Sequence, residues 1–264
     1  GCTGATYTAK DARYEPFEKK CDGVDNDCDG RVDAWALQNV SNTDGGSTRP
    51  AAVKLSNGSV LVMWDRQTGN ARKLTERLVS PDGTQGPVIV PSTSASVSET
   101  SRAAALAADG AEVWAAWIEE STTPVYRRVM VAPLGSDGRS VLPSGLAYSV
   151  SLSQPTDVAI AVDGTVGRVL VAAATGSTVE LVAFTSSTTF ADAGQLGLNP
   201  VSAGEGADPR VAPAGGGFFW LAYQASGGAT QCLVDARQAA LPMTCSTPLP
   251  GFKRIQQTVF SGVF

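Results

Sequence analysis

Among 264 residues there is no histidine. That absence removes the commonest general base, the commonest transition-metal ligand and the side chain that switches charge near neutral pH. Ser-His-Asp and Cys-His chemistry are excluded, and so is zinc held by imidazole. Charge is scarce too: 17% of residues are Asp, Glu, Lys or Arg, against about 25% in an average soluble domain. Cations never gather; the densest runs are dipeptides such as Arg127-Arg128 and Lys253-Arg254, in a chain of net charge −5. Nucleic acid, whose phosphates demand clustered cations, is therefore not an expected partner. No apolar run approaches the ~18 residues of a membrane-spanning helix.

What fills the space is Gly, Ser, Thr, Ala and Val. With 43% apolar residues a sizeable core is available, and the composition is that of an extracellular β-protein with many turns. The five cysteines are Cys2, Cys21, Cys28, Cys232 and Cys245. Cys21 and Cys28 are close in sequence, as are Cys232 and Cys245, and both spacings suit disulfides in an oxidising compartment. Cys2 is left over. Gly1-Cys2 is similar to the junction at which bacterial lipoprotein signal peptides end, which predicts an acylated Cys2. Residues 3–20 are polar and without pattern and read as a tether between that anchor and a folded body.

From residue 49 the chain repeats itself. Segments opening at Arg49, Ser101, Gln154 and Asp208 share one plan. A short apolar strand leads to a turn (Asn57-Gly58, Asp109-Gly110, Asp163-Gly164, Gly215-Gly216) and a second, strongly apolar strand. In three segments that strand ends near an aromatic, Trp64, Trp117 or Tyr223, which packing between sheets accounts for. A third alternating strand and a weak fourth close the unit. Asn-Gly and Asp-Gly between apolar runs are strong hairpin signals. Four antiparallel strands every ~40–50 residues is the spacing of propeller blades. The expected fold is thus all-β, a propeller-like array of four-stranded antiparallel blades over 34–264, with four clear repeats and a partial fifth from about 252. The N-terminal strand "AWALQNV" could complete that last sheet, the chain could be a piece of a longer one, or the open edge could take another chain. Cys232 and Cys245 fall on the third and fourth strands of the fourth repeat.

The stretch "CDGVDNDCDGRVD", residues 21–33, packs carboxylates too tightly to stand without a counter-charge. With Asp25 as the first position it follows the calcium-loop pattern, Asp27, Asp29 and Asp33 adding oxygens, Arg31 its backbone carbonyl and Gly30 the sharp turn. Asp22 is a further candidate ligand or supporting group. The bidentate Glu of an EF-hand is missing, since Ala36 stands there. A Cys21–Cys28 disulfide would lock the loop in place of flanking helices. These residues resemble the C-D-G-x-D-N-D-C-D-G-x-x-D signature of the MopE-like metal-binding family, found in secreted proteins and lipoproteins of myxobacteria and related bacteria. The resemblance covers 13 residues. It implies an outer-membrane or cell-surface location and raises copper beside calcium; the lack of imidazole argues for calcium.

The function expected from these readings is a non-enzymatic, calcium-binding surface lipoprotein whose propeller binds a protein or glycan. The alternative is a structural subunit completed by another chain. A propeller glycosidase ranks below both; its candidate carboxylates are Asp65, Glu119, Glu120, Asp157, Asp163 and Asp208, at unequal positions in the repeats.

Overall fold

A computed structural model describes residues 40–41, 46–68, 71–81, 83–89, 99–110, 112–122, 125–135, 137, 148–150, 154–186, 195–196 and 199–246. The chain divides into units Gly1–Asn42 and Thr43–Phe264, and every strand among the described residues lies in the second. The tether with Cys2, the Asp-rich loop (Asp22, Asp25, Asp27, Asp29, Arg31, Asp33, Cys21, Cys28) and the partial fifth repeat lie outside the described residues.

The strands are β1 (Ser47–Lys54), β2 (Val60–Thr68), β3 (Ala71–Val79), β4 (Glu99–Asp109), β5 (Glu112–Thr122), β6 (Val125–Leu134), β7 (Tyr148–Val150), β8 (Pro155–Asp163), β9 (Arg168–Thr175) and β10 (Thr178–Thr185). They continue with β11 (Gln195–Leu196), β12 (Val201–Glu205), β13 (Ala207–Gly215), β14 (Phe218–Ala225), β15 (Gly228–Asp235) and β16 (Met243–Cys245). They form four sheets: β1-β2-β3, then β4-β5-β6-β7 with β11 added outside β7, then β8-β9-β10-β12, then β13-β14-β15-β16. Pairing is antiparallel throughout except for the two-residue β7–β11 contact. The first sheet shows three strands among the described residues, where a four-stranded unit was expected. Pro87 has no N–H to give a fourth ladder, and the chain there makes only the isolated bridges Glu76↔Ile89 and Val79↔Gln85.

The second strand of each inner sheet is an uninterrupted apolar run because both its faces are covered. On β5, Val113, Ala115 and Trp117 join Leu61, Met63 and Leu74 of the first sheet. The alternate residues Trp114, Ala116 and Ile118 join Val158, Val169 and Val171 of the third. On β9 the other face, Leu170 and Ala172, meets Phe219, Leu221 and Tyr223 of the fourth sheet. The core is therefore three apolar layers in series, and each large side chain in them contributes about 1.5–3 kcal/mol. Of the expected packing aromatics, Trp117 and Tyr223 lie in these layers; Trp64 is buried.

The first strands run side by side, β1 against β4, β4 against β8 and β8 against β13. Their far ends carry the hairpin turns, and there the sheets are stitched together. Gly164 N–H donates to Asp109 Oδ2 of the preceding sheet at 2.8 Å. One repeat later Gly217 N–H donates to Asp163 Oδ2, also at 2.8 Å. A Cβ on Gly164 would stand 2.7 Å from the Asp109 carbonyl oxygen, so this approach requires glycine. In the fourth sheet, Cys232 and Cys245 oppose each other on β15 and β16 and are joined by a disulfide.

Candidate functional site: the strand-opening rim

With the turns gathered at one end, the openings of the first strands gather at the other. Each opening holds a register shift, between Thr48 and Ala51, Arg102 and Ala105, Pro155 and Asp157, and Ala207 and Arg210. At three of the four the reason is written in the sequence as Arg49-Pro50, Gln154-Pro155 and Asp208-Pro209. Proline cannot donate to the ladder, so the pairing breaks into a bulge. The residue before each proline takes a left-handed backbone, φ 51° at Arg49, 50° at Gln154 and 51° at Asp208. For a residue with a Cβ that conformation costs of order 1 kcal/mol or more and marks a place to look for function.

Around these openings the sheets carry paired charges. Asp157 on β8 and Arg210 on β13 bridge two sheets, with Arg210 Nη1 3.3 Å from Asp157 Oδ2. The same Nη1 donates to the Pro209 carbonyl at 2.6 Å, which ties the guanidinium to the bulge. On the β5–β6 hairpin, Glu119 stands opposite Arg128 and Glu120 opposite Arg127. Arg128 donates twice to Glu119 Oε2, at 3.0 and 2.6 Å, and its guanidinium lies 4.5 Å from the Tyr126 ring centroid. Arg127 Nε donates to Glu120 at 2.9 Å, and Arg72 pairs with Asp65 at 3.0 Å across β2 and β3. The arginines stand further out than their partners. Arg128 is 41% exposed against 6% for Glu119, and Arg72 35% against 3% for Asp65.

Tyr223 closes the rim at the fourth sheet. Its hydroxyl donates to the Ala203 carbonyl on β12 at 2.9 Å, and burial pushes its phenol above the usual value. Its ring fits against Gly206, where a Cβ would meet Tyr223 Cδ2 at 2.4 Å. Asp163 belongs elsewhere, to the turn end. Burial pushes its carboxyl up, but hydrogen bonds from the Thr165 hydroxyl and from the Gly217, Thr165 and Val166 amides outweigh it and hold the group below the usual carboxylate range. Asp235, also distant from the openings in register, is likewise held below the usual carboxylate range, by its hydrogen bonds from Arg237.

Of the six carboxylates that the sequence offered for glycosidase chemistry, the structure thus sets Asp65, Glu119, Glu120, Asp157 and Asp208 at the rim end. Asp163 is a turn former. The sequence reading missed the arginine partners of Asp65, Glu119, Glu120 and Asp157. The signal was present in Glu119-Glu120 and Arg127-Arg128 on either side of a short turn: in an antiparallel hairpin that spacing sets opposite charges face to face.

No protein-family model matches the sequence, and no curated protein is similar to it. Solved structures do share the fold. Hadza microbial sialidase Hz136 superposes with a TM-score of 0.54 at 13% identity, over 76% of this chain and 46% of its own. A mutant of Aleuria aurantia lectin in complex with Fucα1-6GlcNAc gives 0.51 at 12% identity, over 79% of this chain and 63% of its own. A mutant of Trypanosoma rangeli sialidase displaying trans-sialidase activity gives 0.50 at 11%, over 76% and 37%. The chain thus spans less than two thirds of each.

These neighbours correct the functional expectation of a non-enzymatic, calcium-binding surface lipoprotein, and its structural-subunit alternative. They include two sialidases and a lectin in complex with Fucα1-6GlcNAc. The expectation drew its calcium and lipoprotein parts from Cys2 and the 13-residue Asp-rich stretch. That motif lies outside the described residues and says nothing of the four sheets that carry the rim.

Proposed function

We propose that the Thr43–Phe264 unit is a propeller-type glycan-recognition module whose sugar site is the strand-opening rim. The observation that carries this reading is the Asp157–Arg210 pair, which spans two sheets at the openings with both side chains partly exposed. A guanidinium beside a carboxylate matches the vicinal hydroxyls of a pyranose. The guanidinium has donors left over after one ion pair, and the carboxylate oxygens accept. Bulged, left-handed openings lie beside both residues, at Gln154 and Asp208. The shared fold with a lectin bound to a fucosyl disaccharide and with sialidases supports the reading by analogy. The Cys232–Cys245 disulfide supports an oxidising compartment, where glycans are met.

The test is calorimetric titration with Fucα1-6GlcNAc, lactose and sialyllactose, guided by a broad glycan array. At least one saccharide binds, and Arg210→Ala or Asp157→Ala weakens it about tenfold or more, as expected for losing a hydrogen bond to a charged group. The same samples are assayed for released monosaccharide; release abolished by Asp157→Ala would make recognition one half of a processing site. Absence of binding to any saccharide, or binding indifferent to both substitutions, overturns the reading.

A further inference from the structure

We infer that the rim selects uncharged, hydroxyl-rich glycans over glycans bearing carboxylate or sulfate; this deepens the glycan reading above and rests on it. Arginines at a sugar site usually invite an anion, because the guanidinium fork fits carboxylate and sulfate oxygens in bidentate fashion. Here four of the guanidinium groups around the openings are neutralised from within the fold, while Arg49 and Arg66 stand exposed at the first opening. Arg72 meets Asp65, Arg127 meets Glu120, Arg128 meets Glu119 and Arg210 meets Asp157. In two of these pairs the carboxylate is buried, so it is a fixed part of the wall that no ligand displaces. An anion approaching Arg128 would come within a few ångströms of Glu119, and like charges at that distance repel. The two charged strand openings at repeat-equivalent positions, Arg49 and Asp208, are of opposite sign, and the chain as a whole carries −5. A hydroxyl meets no such repulsion. It accepts from the Arg210 guanidinium and donates to the partly exposed carboxylate of Asp157.

The substitutions that decide the matter free an arginine without removing it. Wild-type protein and the variants Glu119→Gln and Asp157→Asn are titrated with lactose, 3′-sialyllactose and a 3′-sulfated lactose. The wild type binds the neutral sugar about tenfold or more tighter than either acidic one, with an affinity nearly constant as salt rises from about 0.05 to about 0.5 M. Each variant gains affinity for an acidic sugar by about tenfold, and that gain falls with salt; whether the sialylated or the sulfated sugar gains more tells which anion the fork prefers. Thermal melts verify folding. If Glu119→Gln does not fold, Asp157→Asn, in the more exposed pair, carries the test. A wild type that binds the sialylated or sulfated sugar as tightly as the neutral one overturns this inference and leaves the glycan reading standing. A wild type that binds none of the three nor any saccharide of the array overturns both.

Discussion

Asp163 sits at the end of the sheets opposite the rim and holds two of them together. One oxygen accepts from Gly217 N–H of the next sheet, the other from the Thr165 amide and hydroxyl. The side chain is almost wholly buried, so removing the charge costs more than a surface ion pair would. Asp163→Asn is expected to lose about 1–3 kcal/mol at neutral pH, half or more of a charge-assisted set of bonds. The pH dependence has a definite sign. The folded carboxyl titrates below its ordinary value of 3.8. Its stabilisation is therefore complete above that value and disappears as pH falls through the lower folded one. Urea melts from pH 7 down to about 2.5 should show the gap between wild type and Asp163→Asn closing only below about 4. A gap that stays constant to the lowest pH would mean that the charge is irrelevant. Gly164 tests the other partner of a stitch. In Gly164→Ala the added methyl is driven into the Asp109 carbonyl oxygen, 2.7 Å from its Cβ. Overpacking against backbone costs typically 1–3 kcal/mol, read as a lowered melting temperature.

At the scale of elements, the hairpin of β15 and β16 depends on its disulfide more than any other pairing. β16 is three residues long and lies at the edge of its sheet. Cys232 and Cys245 enclose a 13-residue separation, for which the chain-entropy model gives roughly 3 kcal/mol. Reduction, or the double substitution Cys232→Ser with Cys245→Ser, should lower stability by about that amount. Hydrogen exchange should locate the loss first in β16, whereas a uniform loss over all four sheets would contradict this. The hairpins also explain what was legible. Turn glycines at a spacing near 53 residues, each between apolar runs, announce four similar units because hairpin chemistry is local. The charged rim was only half visible. Carboxylates could be enumerated, but Asp157 and Arg210 are 53 residues apart, and nothing local says that their strands lie side by side. The left-handed openings were hidden for the same reason: a residue before proline is biased towards extended backbone, and only packing of the neighbouring first strands makes the alternative affordable.

For the Thr43–Phe264 unit as a whole, the three apolar layers predict how damage spreads. Leu170 and Val171 are adjacent in sequence, yet they face different neighbours, the fourth sheet and the second. Leu170→Ala should cost about 2–5 kcal/mol and Val171→Ala about 2, from lost burial plus the cavity left behind. If the sheets interact only with nearest neighbours, as stacked repeats do, the two losses belong to separate interfaces and should add within about 0.5 kcal/mol. Leu170 and Leu221 are distant in sequence but share one layer. Their double substitution should depart from additivity by about 1 kcal/mol or more, since the second truncation enlarges a cavity the first has already opened. Both cycles come from the same urea melts. Adjacent residues that couple, with Leu170 and Leu221 independent, would mean that the sheets do not transmit packing in series. The rim bridge between the third and fourth sheets would then lack its scaffold, because the Asp157–Arg210 geometry depends on the layer that Leu170 and Leu221 fill.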